Sequence, residues 1–279
     1  MGYIQNANMK YSNFYFVLKL NLWYTEDCGF DYITNESGYF TVKKIVCDSY
    51  EDVCSYAADI YAAQLKDKPD SVLGLATGST PVGLYKELSR RYSKGEIDFS
   101  KAESFNLDEY YPIDPKHPQS YDYFMRENLF DKINMSKFQI PNGGAPDPIA
   151  ECTRYDSEID KAGGIDLMLL GIGLNGHIGF NEPAVSYPAG TYLVNLTESS
   201  IEANSRFFGP GEHQPVTALT MGIGHIFKSR KVLLLISGAA KADITKKLFE
   251  GKIHTDIPAC FLLLHPNVTV IVDKAANGE

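Results

Sequence analysis

The sequence predicts an α/β fold of the Rossmann-like type, with a doubly wound, mainly parallel open sheet and helices on both faces. Short apolar runs such as residues 166–170 show no polar alternation, which is typical of strands buried on both faces of a parallel sheet. Segments with helical periodicity alternate with these runs. Turns of small residues follow several runs, and open α/β sheets bind their ligands at such carboxyl ends.

The predicted elements of the first half of the chain alternate between helix and strand. A helix begins near Ser49, because Ser49 and Asp52 have the spacing of a capping box, and Pro69 ends it. A second helix begins at Pro81, since proline is favoured in the first helical position. The other predicted elements here are strands at 72–76 and 101–105, a helix at 120–130, a short strand and turn at 139–144, and a helix at 149–161.

The alternation continues in the second half. The buried strand at 166–170 leads into a glycine-rich loop that runs to Pro183. A buried strand at 232–236 is followed by a turn of small residues and a helix that runs to Glu250. The remaining predicted elements are a helix at 197–208, a strand and turn at 216–224, and final strands at 261–264 and 268–272.

The chain length favours one large domain with a small appendage. We assign residues 41–279 to a single α/β domain and residues 1–40 to an N-terminal extension of unknown structure. Three interpretations of the extension are open: an added strand pair, a disordered arm, or an incorrectly assigned start codon. Its apolar run at 14–18 is too short to span a bilayer, and no small-residue cleavage site marks it as a signal peptide.

Charge and cysteine content argue against several classes of partner. The formal net charge of −9 argues against nucleic acid. The five cysteines show no paired spacing, which fits reduced thiols in the cytoplasm and argues against a disulfide scaffold or a zinc site. We therefore expect a cytoplasmic protein that contacts no membrane and needs no metal. The sequence does not decide whether the protein forms a homo-oligomer.

The loop at 171–183 has the densest concentration of functional signals. It holds one histidine, His177, and one carboxylate, Glu182, among four glycines that allow tight turns and close approach of a ligand. Residues 171–176 also match the Gly-x-Gly-x-x-Gly spacing of dinucleotide sites. That motif must open a helix, and here Gly179 and Pro183 follow within a few residues, so we reject a nicotinamide or flavin site.

Three further motifs are weak when each is taken alone. The Thr-Gly-Ser-Thr turn at 77–80 opens a helix and suits phosphate, but an ordinary helix cap is the simpler interpretation. Asp108 and Glu109 follow a strand, where one of two adjacent acids can face a cleft and a solvated acidic loop is the alternative. Lys241 lies in the first turn of a helix, where a cation opposes the helix dipole and suggests a bound anion.

Taken together, these motifs resemble the glucosamine-6-phosphate deaminase family from about residue 41 to residue 273. They stand in the family's order and at its approximate spacings, whereas residues 1–40 lie outside the match. The matching segments are LATGSTP at 75–81, FNLDEY at 105–110, GIGLNGHIGFNEP at 171–183, ANSRFF at 203–208 and SGAAK at 237–241.

The resemblance implies that glucosamine 6-phosphate and water give fructose 6-phosphate and ammonia, without a redox cofactor or a metal. It implies that His177 passes a proton during ring opening, with Glu182 and Asn175 orienting it. Asp108 then moves a proton from C2 to C1 of the open chain. The substrate phosphate is expected at residues drawn from three segments, namely Thr77, Gly78, Ser79, Thr80, Arg206 and Lys241.

Two positions depart from a branch of this family. Asn175 stands where one branch has aspartate, and a neutral amide can orient His177 but gives it no charge. Tyr192 and Val194 stand where the allosteric branch has an arginine and a lysine.

Three alternative functions remain. A galactosamine-6-phosphate deaminase differs only in a few pocket contacts, and a 6-phosphogluconolactonase shares the phosphate loop but needs no carbanion base. A non-enzymatic sugar-phosphate-sensing domain shares the fold, but residues 1–40 show no helix-turn-helix pattern.

Overall fold

A computed structural model describes residues 20–25, 30–35, 41–205, 208–209 and 214–279 of the chain. Twelve strands are formed within these residues. They are β1 (Leu20–Thr25), β2 (Phe30–Asn35), β3 (Thr41–Cys47), β4 (Val72–Leu75), β5 (Glu103–Asn106), β6 (Asp108–Tyr111), β7 (Lys137–Gln139), β8 (Leu167–Leu170), β9 (Tyr192–Asn195), β10 (Thr217–Thr220), β11 (Lys231–Ile236) and β12 (Val268–Asp273).

The described part of the chain also forms eight α-helices, of which the last follows the final strand. They are α1 (Tyr50–Asp67), α2 (Val82–Ser93), α3 (Tyr121–Asn128), α4 (Pro148–Lys161), α5 (Glu198–Ser205), α6 (Ile223–Lys228), α7 (Ala242–Leu248) and α8 (Lys274–Asn277). None of the described helices is both long and apolar enough to cross a membrane.

In the described part of the chain, the main sheet has nine strands in the order β1-β2-β3-β12-β11-β8-β4-β5-β7. Every neighbouring pair from β3 to β7 is parallel, whereas β1 and β2 join the β3 edge as antiparallel strands. All residues of β4 and β8 are buried, so both faces of the sheet are covered. This architecture confirms the predicted fold class. The division into an extension and a single domain stays a prediction.

The strand order places a topological switch point between β4 and β8. After β4 the chain moves outward through β5 to β7, and it then returns to the other side of β4 to form β8, β11 and β12. In open α/β sheets the crevice outside the carboxyl ends of such a strand pair is the usual ligand site. The loops that follow β4 and β8 therefore flank the expected crevice.

A second sheet of three antiparallel strands, in the order β6-β10-β9, lies beyond the end of β5. Its register pairs Asp108 with Thr220 and Thr220 with Tyr192. Directly paired residues present their side chains on the same face of a sheet, so these three side chains form one row. A small hydrophobic cluster that includes Tyr110, Phe180 and Ala218 supports this sheet.

Helix caps follow the sequence signals closely. The Ser49 side chain accepts a hydrogen bond from the backbone N–H of Asp52, as the capping-box spacing predicts. Ser120 caps α3 in the same way. Pro81 takes the N-cap position of α2, one residue before the helix, instead of the first helical position.

Several predicted elements are wrong. Residues 261–264 belong to a 3-10 helix, Pro258–Leu264, since a short buried apolar run does not by itself separate strand from helix and Pro258 opens this one. The turn predicted to end at Gly224 continues into α6. The helix predicted to run from the turn at 237–241 to Glu250 begins as a 3-10 turn, Ala239–Lys241, and α7 ends at Leu248. The acids at 108–109 follow β5 as predicted, and they lie in the next strand, β6, instead of the alternative acidic loop.

Candidate active site

The loop after β8 is folded tightly around its histidine. The backbone N–H of Gly173 donates to the carbonyl oxygen of His177 at 2.9 Å, and the N–H of Gly176 donates to Gly173 at 3.1 Å. A Cβ atom at position 173 would lie 2.3 Å from the His177 ring. The imidazole therefore rests on the Gly173 backbone, and any side chain at that position would displace it.

Two acceptors flank the Nδ1 atom of His177. The Oδ1 atom of Asn175 lies 2.8 Å away and the Oε1 atom of Glu182 lies 3.2 Å away. The Asn175 amide is fixed in this orientation, because its Nδ2 atom donates to Oε2 of Glu182 at 2.6 Å. A neutral imidazole therefore carries its proton on Nδ1 and presents Nε2 as the acceptor. The side chain is 31% exposed, so a ligand can reach it.

Glu182 is an ionised carboxylate held from several sides. Burial alone would raise its pKa, but hydrogen bonds from His177, Ser200 and Asn175 outweigh burial and lower the pKa to about 2. Ser200, in the first turn of α5, donates to Oε1 of Glu182 at 2.7 Å. Sequence reasoning missed Ser200, because a serine 18 residues away carries no local signal of this contact.

Asp108 is a buried carboxyl at the start of β6, directly after the end of β5. Only 6% of its surface is exposed, and burial raises its pKa to about 7. Its Oδ2 atom lies 3.4 Å from the position that a Cβ atom of Gly179 would take. Gly179 has a φ of 58°, so the loop bends past Asp108 at a residue that tolerates this conformation.

Glu109 points away from Asp108, as expected for adjacent residues of a strand. Its carboxylate accepts hydrogen bonds from the backbone N–H groups of Tyr121 and Asp122 at the start of α3, at 2.8–3.0 Å. Glu109 thus caps a helix, and Asp108 is the acid of the pair that lies beside the glycine-rich loop.

The row of paired residues in the small sheet anchors the same loop. The Oγ1 atom of Thr220 accepts from the backbone N–H of Phe180 at 3.1 Å. The Tyr192 hydroxyl donates to Oδ1 of the fully buried Asn181 at 3.3 Å, and Asn181 donates in turn to the carbonyl oxygen of Met221 at 3.0 Å. These contacts fix the loop between His177 and Glu182. Sequence reasoning missed Thr220, since its role depends on strand register.

The turn at 77–80 follows β4 and presents unpaired donors. Within the described residues, no protein group accepts from the backbone N–H of Gly78, Ser79 or Thr80. Tyr50 braces the turn from α1: its hydroxyl donates to the carbonyl oxygen of Thr80 at 2.7 Å and accepts from the N–H of Gly83 at 2.8 Å. Such a turn at a helix N-terminus is suited to an anion.

Lys241 reaches the loop that carries His177. Its Nζ atom donates to the carbonyl oxygen of Ile172 at 2.7 Å, and burial lowers its pKa. Arg206, the other predicted cation, lies outside the described residues.

The predicted site residues that the structure describes thus lie at one edge of the main sheet. The segments that carry them follow β11, β8, β4 and β5, which are adjacent parallel strands. Parallel strands end at the same edge, so the cation, the proton-transfer groups and the donor turn share it. Among the described residues, no group of three or more His, Cys, Asp or Glu side chains is placed to hold a metal ion.

The site offers two distinct proton-transfer groups. His177, with Nδ1 held by acceptors, can take and return a proton at Nε2. Asp108, with a pKa of about 7, can take and return a proton elsewhere in the cleft. Donors for an anion lie at the same edge of the sheet. The arrangement suits successive proton transfers on a small anionic substrate.

Comparison with known proteins identifies close relatives of the chain. Residues 48–271 match the family model of glucosamine-6-phosphate isomerases and 6-phosphogluconolactonase. A glucosamine-6-phosphate deaminase of Thermoanaerobacter pseudethanolicus is 53% identical over 237 residues, which cover 84% of this chain and 94% of that protein. A glucosamine-6-phosphate deaminase of Clostridium botulinum is 53% identical over 240 residues, which cover 85% of this chain and 98% of that protein.

Solved structures agree with this comparison. A structure described as a monomeric glucosamine-6-phosphate deaminase superposes with a TM-score of 0.81 at 45% identity, and the match covers 84% of this chain and 98% of that one. A 6-phosphogluconolactonase from Thermotoga maritima superposes with a TM-score of 0.66 at 20% identity, covering 84% of this chain and 99% of that one. The second likeness shows a shared fold only.

Proposed function

The chain belongs to the family of glucosamine-6-phosphate isomerases and 6-phosphogluconolactonases, and from this premise we propose that it converts glucosamine 6-phosphate and water to fructose 6-phosphate and ammonia. The observation that carries this choice is the presence of two separate proton-transfer groups, His177 and Asp108, beside one glycine-rich loop. Opening a sugar ring needs one such group, and moving a proton between neighbouring carbons needs another. A lactonase needs no carbanion base.

The first step is opening of the pyranose ring. His177 takes the proton of the anomeric hydroxyl at Nε2 and delivers it to the ring oxygen as the C1–O5 bond breaks. During the transfer the imidazole becomes positively charged, and the ionised Glu182, 3.2 Å from Nδ1, stabilises that charge. Asn175 contacts both the imidazole and the carboxylate and so holds the two groups in a fixed relative position.

The second step moves a proton from C2 to C1. Asp108 in its ionised form removes the C2 proton from the open-chain aldehyde, and a proton of the 2-ammonium group of the substrate moves to O1, which gives an enolamine. It then returns that proton to C1, which gives a ketose imine. A pKa of about 7 suits a group that must be both base and acid near neutral pH. Water adds to the imine carbon, and ammonia leaves.

We also assign the phosphate group of the substrate to the turn formed by residues 77–80. The unpaired N–H groups of that turn support this placement, since phosphate binds well to free donors at a helix N-terminus. Lys241 supplies a charge beside the catalytic loop. Arg206, which lies outside the described residues, remains the predicted second counter-charge, because a guanidinium suits bidentate binding of phosphate.

Ammonia release is the measurement that tests this function. The purified protein should release ammonia from glucosamine 6-phosphate and form fructose 6-phosphate in equal amount. Galactosamine 6-phosphate and 6-phosphogluconolactone, assayed in parallel, separate the alternative substrates. Faster turnover of the galactosamine epimer would change the substrate assignment, and lactone hydrolysis without any ammonia release would overturn the function.

The cellular setting is also a proposal. Four cysteines of the described chain, Cys47, Cys54, Cys152 and Cys260, are buried free thiols, which supports a reducing cytoplasm. The oligomeric state is open between a homo-oligomer and a monomer such as the solved relative. Light scattering distinguishes the 31.0 kDa chain from its multiples.

A further inference from the structure

The carboxylate of Glu182 is held between two separate segments of the chain. From its own loop, the Nδ2 atom of Asn175 donates to Oε2 at 2.6 Å. From helix α5, the hydroxyl of Ser200 donates to Oε1 at 2.7 Å. Oε1 is also the oxygen that lies 3.2 Å from Nδ1 of His177. The Ser200 contact therefore acts on the atom that faces the imidazole.

The direction of the Ser200 hydroxyl hydrogen is set by its other neighbour. The Oγ1 atom of Thr197 accepts from the backbone N–H of Ser200 at 3.2 Å and donates its own proton to Oγ of Ser200 at 3.0 Å. The Ser200 proton is then left for the carboxylate. Ser200 is 9% exposed, so bulk water has little access to replace its donor after truncation.

Without this donor the carboxylate would lose one of the contacts that fix its position. Asn175 would still hold Oε2, but Oε1 could turn away from Nδ1 of His177. A hydrogen bond to an ionised acceptor is among the stronger ones in proteins, and its orientation is specific. The rate of the step in which His177 becomes charged would therefore decrease.

We propose that Ser200 is a positioning residue that holds Glu182 against His177 and thereby sets the rate of ring opening. This inference rests on the proposed deaminase function. It concerns the hydroxyl on α5, which acts through Glu182 and touches neither the substrate nor the imidazole. Ser200→Ala should lower kcat on cyclic glucosamine 6-phosphate by about 10- to 100-fold, the range expected for a lost hydrogen bond to a charged group.

Three readouts separate positioning from general damage to the fold. The affinity for 2-amino-2-deoxyglucitol 6-phosphate, an open-chain analogue that cannot cyclise, should stay within about twofold of wild type. The KM for glucosamine 6-phosphate should stay within about twofold of wild type while kcat falls, because Ser200 acts on a proton-transfer step through Glu182 and does not touch the substrate. Ser200→Thr, which keeps the hydroxyl, should recover most of the lost rate.

A matched control lies on the same helix. The hydroxyl of Ser205 donates to the carbonyl oxygen of Glu202 and is exposed, so Ser205→Ala should keep wild-type kinetics. The positioning role is overturned if Ser200→Ala keeps the wild-type kcat, or if Ser200→Thr is as slow as Ser200→Ala at an unchanged melting temperature. If wild-type protein releases no ammonia, the function itself fails, and that outcome is distinct.

Discussion

Asp108 and Thr220 are paired directly across β6 and β10, and their side chains lie on one face of the small sheet. The glycine-rich loop lies over that face: a Cβ atom at Gly179 would be 3.2 Å from Oγ1 of Thr220 and 3.4 Å from Oδ2 of Asp108. The strand register thus sets the distance between the proposed C2 base and the loop that carries the ring-opening histidine. The small sheet therefore positions the proposed base in addition to supporting the loop.

The first prediction concerns Asp108 as the base. Asp108→Asn removes the proton acceptor with little change in shape, so turnover should fall by at least about 10²-fold while the substrate affinity changes little. Exchange of the C2 proton of the substrate with deuterated solvent should be lost at the same time. Asp114→Asn, in an exposed loop, is the control and should keep both activities. Exchange that persists in Asp108→Asn would mean that another residue is the base.

The second prediction concerns stability and pH. Burial raises the pKa of Asp108 from 3.8 to about 7, so the folded protein holds this proton more tightly than the unfolded chain. Stability contributed by the protonated form is present at low pH and is lost as the pH rises from about 4 to about 7. At about 1.36 kcal/mol per pKa unit, the penalty at pH 8 is at most ~4 kcal/mol.

Asp108→Asn should therefore be more stable than wild type at pH 8 and nearly equal to it at pH 4. Urea unfolding at both pH values measures the difference in the free energy of unfolding. An equal difference at the two pH values would show that folding does not raise the pKa of Asp108.

The sequence predicted the parts of this site that depend on short-range order. Buried apolar runs located β4, β8 and β11, and glycine spacing located the loop around His177. The contact of Ser200 with Glu182 and the register of Thr220 with Asp108 depend on how distant segments pack. A single sequence holds no local signal for such contacts. The prediction of a strand at 261–264 is wrong because burial alone produces the apolar pattern of these residues, which belong to the 3-10 helix Pro258–Leu264.

The third prediction concerns Asn175. Its Nδ2 atom lies 2.6 Å from Oε2 of Glu182, so Asn175→Asp would place two carboxylate oxygens at that separation. Two such oxygens are not easily ionised together, so the pair should bind one proton. It should do so at a pH well above 2, whereas Glu182 now has a pKa of about 2, because its hydrogen bonds outweigh burial. This protonation adds to that of Asp108, whose pKa is about 7, so kcat should fall more steeply with decreasing pH than in wild type, with activity kept in alkaline solution.

A pH–rate profile of Asn175→Asp tests this directly. Asn142→Asp makes the same change of charge at an exposed position and should leave the profile unchanged. A wild-type profile for Asn175→Asp would show that the amide and the carboxylate are not in contact in solution.

The fourth prediction concerns the phosphate contacts. Lys241→Ala should raise KM strongly, by about 10- to 100-fold, because a hydrogen bond to a charged group is worth ~1.5–3 kcal/mol. Arg206→Ala should do the same, and unphosphorylated glucosamine should be a very poor substrate. Lys247→Ala, on the exposed side of α7, is the matched control. Comparable activity on glucosamine with and without phosphate would contradict the assigned anion site.

The last prediction concerns regulation, and it begins from the residues that replace the effector-binding arginine and lysine of the allosteric branch. The Tyr192 hydroxyl donates to Oδ1 of Asn181 inside the same protomer, 3.3 Å away. Val194 packs against the small hydrophobic cluster that contains Tyr110 and Phe180. Neither side chain offers a positive charge to the phosphate of N-acetylglucosamine 6-phosphate.

Loss of two charge-assisted contacts, each worth ~1.5–3 kcal/mol, exceeds the ~1–3 kcal/mol that allosteric coupling usually amounts to. We therefore expect hyperbolic kinetics with glucosamine 6-phosphate and no activation by millimolar N-acetylglucosamine 6-phosphate. Initial rates across a range of substrate concentrations, with and without that compound, provide the measurement. A sigmoidal curve that becomes hyperbolic on its addition would contradict the prediction, because other basic residues would then have to bind the effector in place of Tyr192 and Val194.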